Sequence, residues 1–122
     1  TVLITGDMSF SYDVNGLSST YLSPRFKIIV MCNGGGGIFR FIKPTSDLPE
    51  LETCFEIHRD ISVEKYADLF GLRYFELNDE KSAAEVLSLF FAEEDRPAIL
   101  AVHTPNVYNA EVLRGYFRRS RQ

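Results

Sequence analysis

The chain has 122 residues, 45% of them hydrophobic and 25% charged, which is typical of one globular domain covering residues 1–122. Its formal charge of -4 argues against nucleic acid as the main partner. No apolar run reaches the roughly 18 residues that cross a bilayer, so we expect no membrane insertion and a cytoplasmic setting. Because the chain opens at Thr1 and enters an apolar run at once, we expect a piece of a longer protein.

The first third of the chain predicts two strands and one helix. The apolar run Val2–Thr5 is typical of a buried strand and ends at Gly6-Asp7. A partial apolar face predicts a helix from about Tyr12 to Leu22. Lys27–Cys32 is β-branched and almost wholly apolar, which predicts a strand buried on both faces. Four glycines follow it, after Asn33.

The middle of the chain predicts a long loop and one well-delimited helix. Residues 38–42 favour a helical turn, and residues 43–57 lack a period and are expected to form a loop. Ser62 has the residue type of a helix N-cap, and Gly71 has that of a helix stop, so a helix is predicted between them.

The last third alternates strands and helices. Leu72–Leu77 and Pro97–His103 predict strands, whereas Glu80–Glu94 and Asn106–Arg119 predict helices. This alternation predicts an α/β fold, a mainly parallel sheet with helices on both faces. Ligands of such sheets bind at the carboxyl ends of the strands.

The four consecutive glycines either bring the main chain close to an anion or form a flexible loop. A dinucleotide fingerprint beginning at Gly34 would require glycine where Phe39 stands, and no Walker lysine is present. Both nucleotide-loop interpretations are therefore disfavoured.

Asp7 and Asn33 each follow a predicted strand, and the two strands are expected to be neighbours. A carboxylate, an amide oxygen and a main-chain carbonyl from the glycine run would offer three oxygen ligands to Mg²⁺, which takes its remaining ligands from phosphates and water. Taken singly, Asp7 also suits a helix cap and Asn33 a turn.

These residues resemble the thiamine-diphosphate enzyme family. That family carries Gly-Asp followed by Asn after a spacer, and here Asn33 lies 26 positions after Asp7. The resemblance implies thiamine diphosphate and Mg²⁺ as cofactors, with Asp7, Asn33 and the carbonyl of Gly35 as metal ligands. Met8 and Cys32 depart from the usual motif, but neither replaces a metal ligand.

A narrower resemblance covers essentially the whole chain. Similarity to the branch of that family that serves menaquinone biosynthesis lies in residues 6–10, 13–17, 33–39, 54–60 and 66–71. This branch decarboxylates 2-oxoglutarate and adds the succinyl unit to isochorismate. The resemblance makes the chain the carboxy-terminal portion of the diphosphate-binding domain of a homo-oligomeric enzyme. It implies that the cofactor-binding residues are Gly6, Asp7, Met8, Ser9, Asn33, Gly35, Gly36 and Ile38. It also implies that the substrate side is lined by Ile38, Phe39 and Ile42.

The resemblance implies no catalytic residue in this chain, because the family's catalytic glutamate lies in another domain. The isolated chain is therefore expected to be inactive. Other thiamine-diphosphate decarboxylases, acetolactate-synthase-like enzymes and a non-enzymatic phosphate-binding module stay open as alternatives. Cys54 and His58 lack a third metal ligand, and the roles of Cys32 and His103 are not assigned.

Overall fold

The computed structural model describes residues 1–56, 59, 61–92 and 95–119. Two compact units divide the chain, and each is built from two stretches of sequence. Unit 1 consists of residues 1–32 and 61–103, and unit 2 consists of residues 33–60 and 104–122.

Unit 1 is built on a four-stranded sheet whose order is β1-β2-β4-β3. The strands are β1 (Val2–Gly6), β2 (Lys27–Cys32), β3 (Arg73–Leu77) and β4 (Ala98–His103). Every neighbouring pair is parallel, with Gly6 opposite Met31 and Cys32 opposite His103. The predicted α/β class with a parallel sheet is confirmed, as is the predicted pairing of β1 with β2.

Helices cover both faces of this sheet, as predicted. On one face, α1 (Asp7–Asp13) and α3 (Val63–Phe70) pack against alternate strand residues such as Ile28 and Ile99. On the other face, Phe90 of α4 (Ala83–Phe91) packs against Ala98 and Leu100. Successive strand residues point to opposite faces, so the apolar runs of β2 and β4 supply both cores.

The first strand is not buried, contrary to the prediction. The side chains of Val2, Leu3 and Ile4 are exposed because β1 lies at the edge of the sheet and has one neighbouring strand. An edge strand and a central strand have the same apolar run, so composition alone did not distinguish them.

The first helix was also placed wrongly by the sequence pattern. It begins at Asp7, directly after β1, and passes into a 3-10 helix at Val14–Ser18. Phe10, which the predicted helix at 12–22 left out, is buried in the core against Tyr66. The Asn15-Gly16 pair lies in the 3-10 stretch, where the helix tightens and then ends.

The boundaries of α3 were predicted correctly. The Ser62 hydroxyl accepts a hydrogen bond from Lys65 N, and Gly71 ends the helix at φ 69°. The helix α4 starts three residues later than predicted, because the Asp79 carboxylate holds the N–H groups of Lys81 and Ser82 in a turn. The predicted end of α4 at Glu94 lies outside the described residues.

Among its described residues, unit 2 contains two helices and one π-helical turn. These are α2 (Gly37–Phe41), the turn Leu51–Phe55 and α5 (Asn106–Arg119). The predictions for α2 and α5 are confirmed, α2 with a shift of one residue. The predicted loop at 43–57 is only partly irregular, since the π-helical turn lies inside it, and Ile57 is outside the described residues. The side chains of Phe41 and Phe117 pack together between α2 and α5.

Candidate functional site

Gly6, Asp7, Met8 and Ser9 form the junction between β1 and α1 in unit 1. Gly6 is extended and is the last residue of the strand, and the helix begins at Asp7. The Asp7 side chain is only 4% exposed, and its Oδ1 accepts a hydrogen bond from Met8 N at 2.8 Å. The predicted metal ligand is therefore a buried carboxylate at the carboxyl end of a strand, where α/β sheets bind ligands.

Asp7 lies near the end of the neighbouring strand β2. Burial, followed by the negative charges of Asp7 and Glu76, raises the pKa of the Cys32 thiol to about 11. A thiol with so high a pKa is protonated at neutral pH and is a poor nucleophile. Cys32 is thus a half-buried structural residue, and the negative charge of Asp7 is close enough to affect its pKa.

The paired strands β3 and β4 bring together three polar side chains that the sequence did not single out as a group. His103 Nε2 lies 3.0 Å from Glu76 Oε1, and Tyr74 lines the same small pocket. Burial, and then the charge of Glu76, raise the pKa of Tyr74 to about 12. His103 does end a strand, as expected, and its partner was missed because β3 and β4 are distant in sequence.

Asn33 and the glycines after it form a tight loop in unit 2. The Asn33 Oδ1 atom accepts a hydrogen bond from Gly35 N at 3.1 Å. Gly34, Gly35 and Gly36 have φ of 83°, 89° and 65°, a region that other residues rarely adopt. A Cβ on Gly36 would lie 2.6 Å from the Cα of Glu56, so the backbone of this segment closes against the loop. The structure therefore brings Asn33, Gly35 and Gly36 together.

The main-chain carbonyl of Gly35 is held by a residue that sequence reasoning did not single out. Asn106, the first residue of α5, donates a hydrogen bond from Nδ2 to this carbonyl at 3.0 Å. Both residues are buried. The signal in the sequence was weak, because an asparagine at the start of a helix is ordinary and lies 71 positions away.

A buried ion pair fastens the 50–56 segment to α2. Arg40 Nε donates to Glu56 Oε1 at 2.8 Å, and Nη2 donates to Glu56 Oε2 at 2.5 Å and to Glu52 Oε1 at 2.9 Å. These hydrogen bonds, that to Glu56 first, raise the pKa of Arg40 above its usual range. In addition, Arg114 of α5 donates to the main-chain carbonyl of Arg40 at 2.6 Å.

The three residues predicted for the substrate side have different surroundings. Ile38 of α2 and Ile42, the residue directly after that helix, are exposed, and Ile42 N donates a hydrogen bond to the Ile38 carbonyl at 3.1 Å. Phe39 is half-buried and packs on Phe55 at 5.4 Å between ring centroids. Ile38 and Ile42 therefore offer an apolar surface, whereas Phe39 also serves the packing of unit 2.

The chemistry of the candidate ligands suits Mg²⁺. In the part of the chain that the structure describes, no group of three or more His, Cys, Asp or Glu side chains could hold a metal ion. Asp7, Asn33 and Gly35 supply a carboxylate, an amide oxygen and a carbonyl, which are the hard ligands that Mg²⁺ prefers.

The Cys54–His58 pair that the sequence raised as a weak metal candidate is tested only in part. Cys54 is exposed in the π-helical turn. His58 lies outside the described residues.

Comparison with known proteins identifies relatives over almost the entire chain. No family model matches it. Proteins named 2-succinyl-5-enolpyruvyl-6-hydroxy-3-cyclohexene-1-carboxylate synthase do match. The one from Porphyromonas gingivalis is 49% identical over 96% of this chain and 20% of its own length. The one from Flavobacterium johnsoniae is 40% identical over 96% of this chain and 21% of its own length. The one from Christiangramia forsetii is 36% identical over 94% and 20%.

The chain has an α/β sheet with a Gly-Asp and an Asn-Gly loop after neighbouring strands. Its relatives are enzymes, since each of these proteins is named a synthase. More particularly, the chain is homologous to one segment of the 2-succinyl-5-enolpyruvyl-6-hydroxy-3-cyclohexene-1-carboxylate synthases, and the resemblance seen in the motifs is confirmed. The chain spans about a fifth of the length of these relatives.

No helix within the described residues is long and apolar enough to cross a membrane.

Proposed function

We propose that this chain is the portion of a carboligase that binds thiamine diphosphate and Mg²⁺. The parent enzyme would decarboxylate 2-oxoglutarate and add the succinyl unit to isochorismate in menaquinone biosynthesis. The observation that carries this proposal is the 49% identity, over 96% of the chain, to the Porphyromonas gingivalis protein named 2-succinyl-5-enolpyruvyl-6-hydroxy-3-cyclohexene-1-carboxylate synthase. The chain would then be the carboxy-terminal part of the enzyme's diphosphate-binding domain. The enzyme would act in the cytoplasm as a homo-oligomer, and the chain alone would not turn over substrate.

Within this function, Asp7, Asn33 and the carbonyl of Gly35 would hold Mg²⁺. Three observations support the assignment. Asp7 is a buried carboxylate that directly follows β1, and its charge contributes to the raised pKa of Cys32. Cys32 directly precedes Asn33 in the sequence. The Asn33 side chain and Gly35 are joined by a hydrogen bond. The Gly35 carbonyl is oriented by Asn106.

The remaining candidate residues would surround the cofactor. Gly6, Met8 and Ser9 flank Asp7, and Gly36 and Ile38 extend the glycine loop into α2. Exposed Ile38 and Ile42, with Phe39, would provide the apolar side that faces the substrates. Thiamine diphosphate supplies the electron sink for decarboxylation, and the protein's share is binding and orientation.

A titration of the complete polypeptide that contains this sequence tests the metal ligands. Isothermal calorimetry would follow thiamine diphosphate binding with and without Mg²⁺. We expect Asp7→Asn and Asn33→Ala to weaken the Mg²⁺-dependent binding by more than about a hundredfold, beyond the range seen when a residue behind a ligand is replaced. Asp7→Asn keeps the acceptor for Met8 N, so the fold should be retained.

Two matched variants serve as controls. Asp13→Asn and Asn15→Ala remove the same side chains from exposed positions of α1 and the 3-10 helix, and binding should stay within about twofold of wild type. If the Asp7 and Asn33 variants bound the Mg²⁺ complex as tightly as these controls, the assignment of the ligands would be wrong.

Substrate consumption separates the candidate reactions. Release of carbon dioxide from 2-oxoglutarate that depends on isochorismate, with both substrates consumed in equal amounts, supports the proposed carboligase. Equal release without isochorismate would indicate another thiamine-diphosphate decarboxylase. Failure to bind thiamine diphosphate at all would leave a phosphate-binding module without this activity.

A further inference from the structure

The side chain of Asn106 is buried beside the glycine loop and makes one defined hydrogen bond. It is only 8% exposed, and its Nδ2 donates to the Gly35 carbonyl at 3.0 Å. A carbonyl can only accept a hydrogen bond, so the nitrogen of this amide must face Gly35. This fixes the opposite end of the amide, Oδ1, in a direction away from that carbonyl.

That Oδ1 atom is an unused acceptor. It is buried and has no hydrogen-bond partner among residues 1–56, 59, 61–92 and 95–119. Buried polar atoms of native proteins are nearly always paired, and an exception calls for an explanation such as a water molecule or an ion. The site therefore suits the arrival of a hydrogen-bond donor.

The surroundings of this acceptor place it near the nitrogen end of the Asn33 side-chain amide. A Cβ built on Gly37 would lie 2.6 Å from Asn106 Oδ1 and 2.7 Å from Asn33 Nδ2. The space that a side chain at position 37 would take is thus shared by the amides of Asn33 and Asn106. One amide belongs to a candidate ligand, and the other holds the carbonyl of a second candidate ligand.

We propose that Asn106 is a positioning residue for the metal ion. Its Nδ2 sets the direction of the Gly35 carbonyl, and its Oδ1 accepts a hydrogen from a water molecule that is bound to the cation. Mg²⁺ keeps several of its waters when it binds to proteins, and metal-bound water is a strong donor. This inference rests on the proposed function, since it needs Mg²⁺ near Gly35.

A positioning role predicts a selectivity that a purely structural role does not. Mg²⁺ demands near-ideal octahedral geometry, whereas Ca²⁺ accepts variable geometry and six to eight ligands. A carbonyl that is no longer held in place should therefore harm Mg²⁺ binding more than Ca²⁺ binding. General loosening of unit 2 would weaken both ions alike.

The test uses the complete polypeptide, saturated with thiamine diphosphate and titrated separately with Mg²⁺ and with Ca²⁺ by calorimetry. Asn106→Leu keeps the branched shape and the number of side-chain heavy atoms and removes both hydrogen-bonding functions. Asn106→Ser is well tolerated at a helix start but is too short to span to Gly35. Asn109→Leu is the matched control, because Asn109 lies on the same helix and its Nδ2 donates to Thr104 Oγ1 at 2.8 Å.

We expect both Asn106 variants to lose roughly 10- to 100-fold in Mg²⁺ affinity, the range for residues that orient a metal ligand. Their ratio of Mg²⁺ to Ca²⁺ affinity should fall, and Asn109→Leu should change neither quantity. Should Asn106→Leu fail to fold, the serine variant gives the same comparison.

Three results would overturn the inference. Equal loss of both ions would assign Asn106 a structural role only. Wild-type affinity in the Asn106 variants, with binding abolished in Asp7→Asn, would refute the role of Asn106 and leave the proposed function standing. Absence of Mg²⁺ binding in the wild-type protein would refute both.

Discussion

Replacing Arg40 by methionine should release the 50–56 segment from α2. The substitution keeps an unbranched apolar stem but removes the cation that faces the Glu56 carboxylate. Glu56 has 0% of its side chain exposed, whereas Arg40 retains 19%. The variant therefore leaves a buried negative charge whose cationic partner has been removed.

The size of the effect follows from the burial of the carboxylate. Removing one partner of a buried ion pair costs about 3–5 kcal/mol. Because Arg40 is partly exposed and water can reach its position, we take the lower end, about 3 kcal/mol. A loss of 3 kcal/mol in the local opening free energy makes amide exchange on the order of a hundredfold faster.

Hydrogen exchange read by mass spectrometry on the complete polypeptide measures this effect locally. The informative amides are those of Cys54 and Glu56, which are hydrogen-bonded to Glu50 and Leu51 within the π-helical turn. Local exchange is preferable to global melting, since melting of the complete polypeptide does not report on this segment alone.

The matched control is Glu52→Gln. Glu52 bonds the same guanidinium but is 71% exposed, so its pair with Arg40 contributes less than about 1 kcal/mol and exchange should change by no more than about fivefold. Adding Glu56→Gln to Arg40→Met should restore part of the protection, because the buried charge is then gone. Exchange in Arg40→Met that stays within the range of the Glu52 control would refute the anchoring role of the buried pair.

Two further predictions concern single positions. Gly36→Ala should disrupt the glycine loop, because its Cβ would lie 2.6 Å from the Glu56 main chain at φ 65°; Gly16→Ala meets no atom within 4 Å and should leave the exchange pattern and Mg²⁺ affinity unchanged. Similar behaviour of the two alanine variants in exchange and titration would contradict this. Iodoacetamide at pH 8 should modify exposed Cys54 well before Cys32, because the pKa of Cys32, about 11, keeps its thiol protonated. Raising the pH towards 11 should speed the reaction of Cys32. Equal rates of modification at pH 8, measured by peptide mass mapping, would argue against the burial of Cys32.

Much of the fold was readable from local pattern. β2 and β4 are short apolar runs bounded by turn residues, and their parallel pairing follows from the helices between strands. The ends of α3 were readable because capping is a property of single residues, Ser62 and Gly71. The exposure of β1 could not be predicted, because it depends on the place of β1 at the edge of the sheet that the described residues form, and not on the composition of the strand.

The candidate site was readable only where its residues are close in sequence. The signature nominated Asp7, Asn33 and Gly35 as metal ligands, and these assignments stay predictions. The hydrogen bond from Asn106 to Gly35 spans 71 positions, and no local pattern encodes it. The burial of Glu56 was likewise hidden, because a glutamate in an irregular acidic stretch is usually solvated.

The closing of the glycine loop by distant residues has a consequence for engineering. Its left-handed turns are walled by main chain from the 55–56 segment and tied to the first residue of α5. Grafting Asn33 and its glycines into another parallel sheet would transfer the flexible residues without the packed main chain and without the hydrogen bond from Asn106. The grafted loop would therefore populate many conformations, and reproducing the single conformation seen here would require the transfer of all of unit 2.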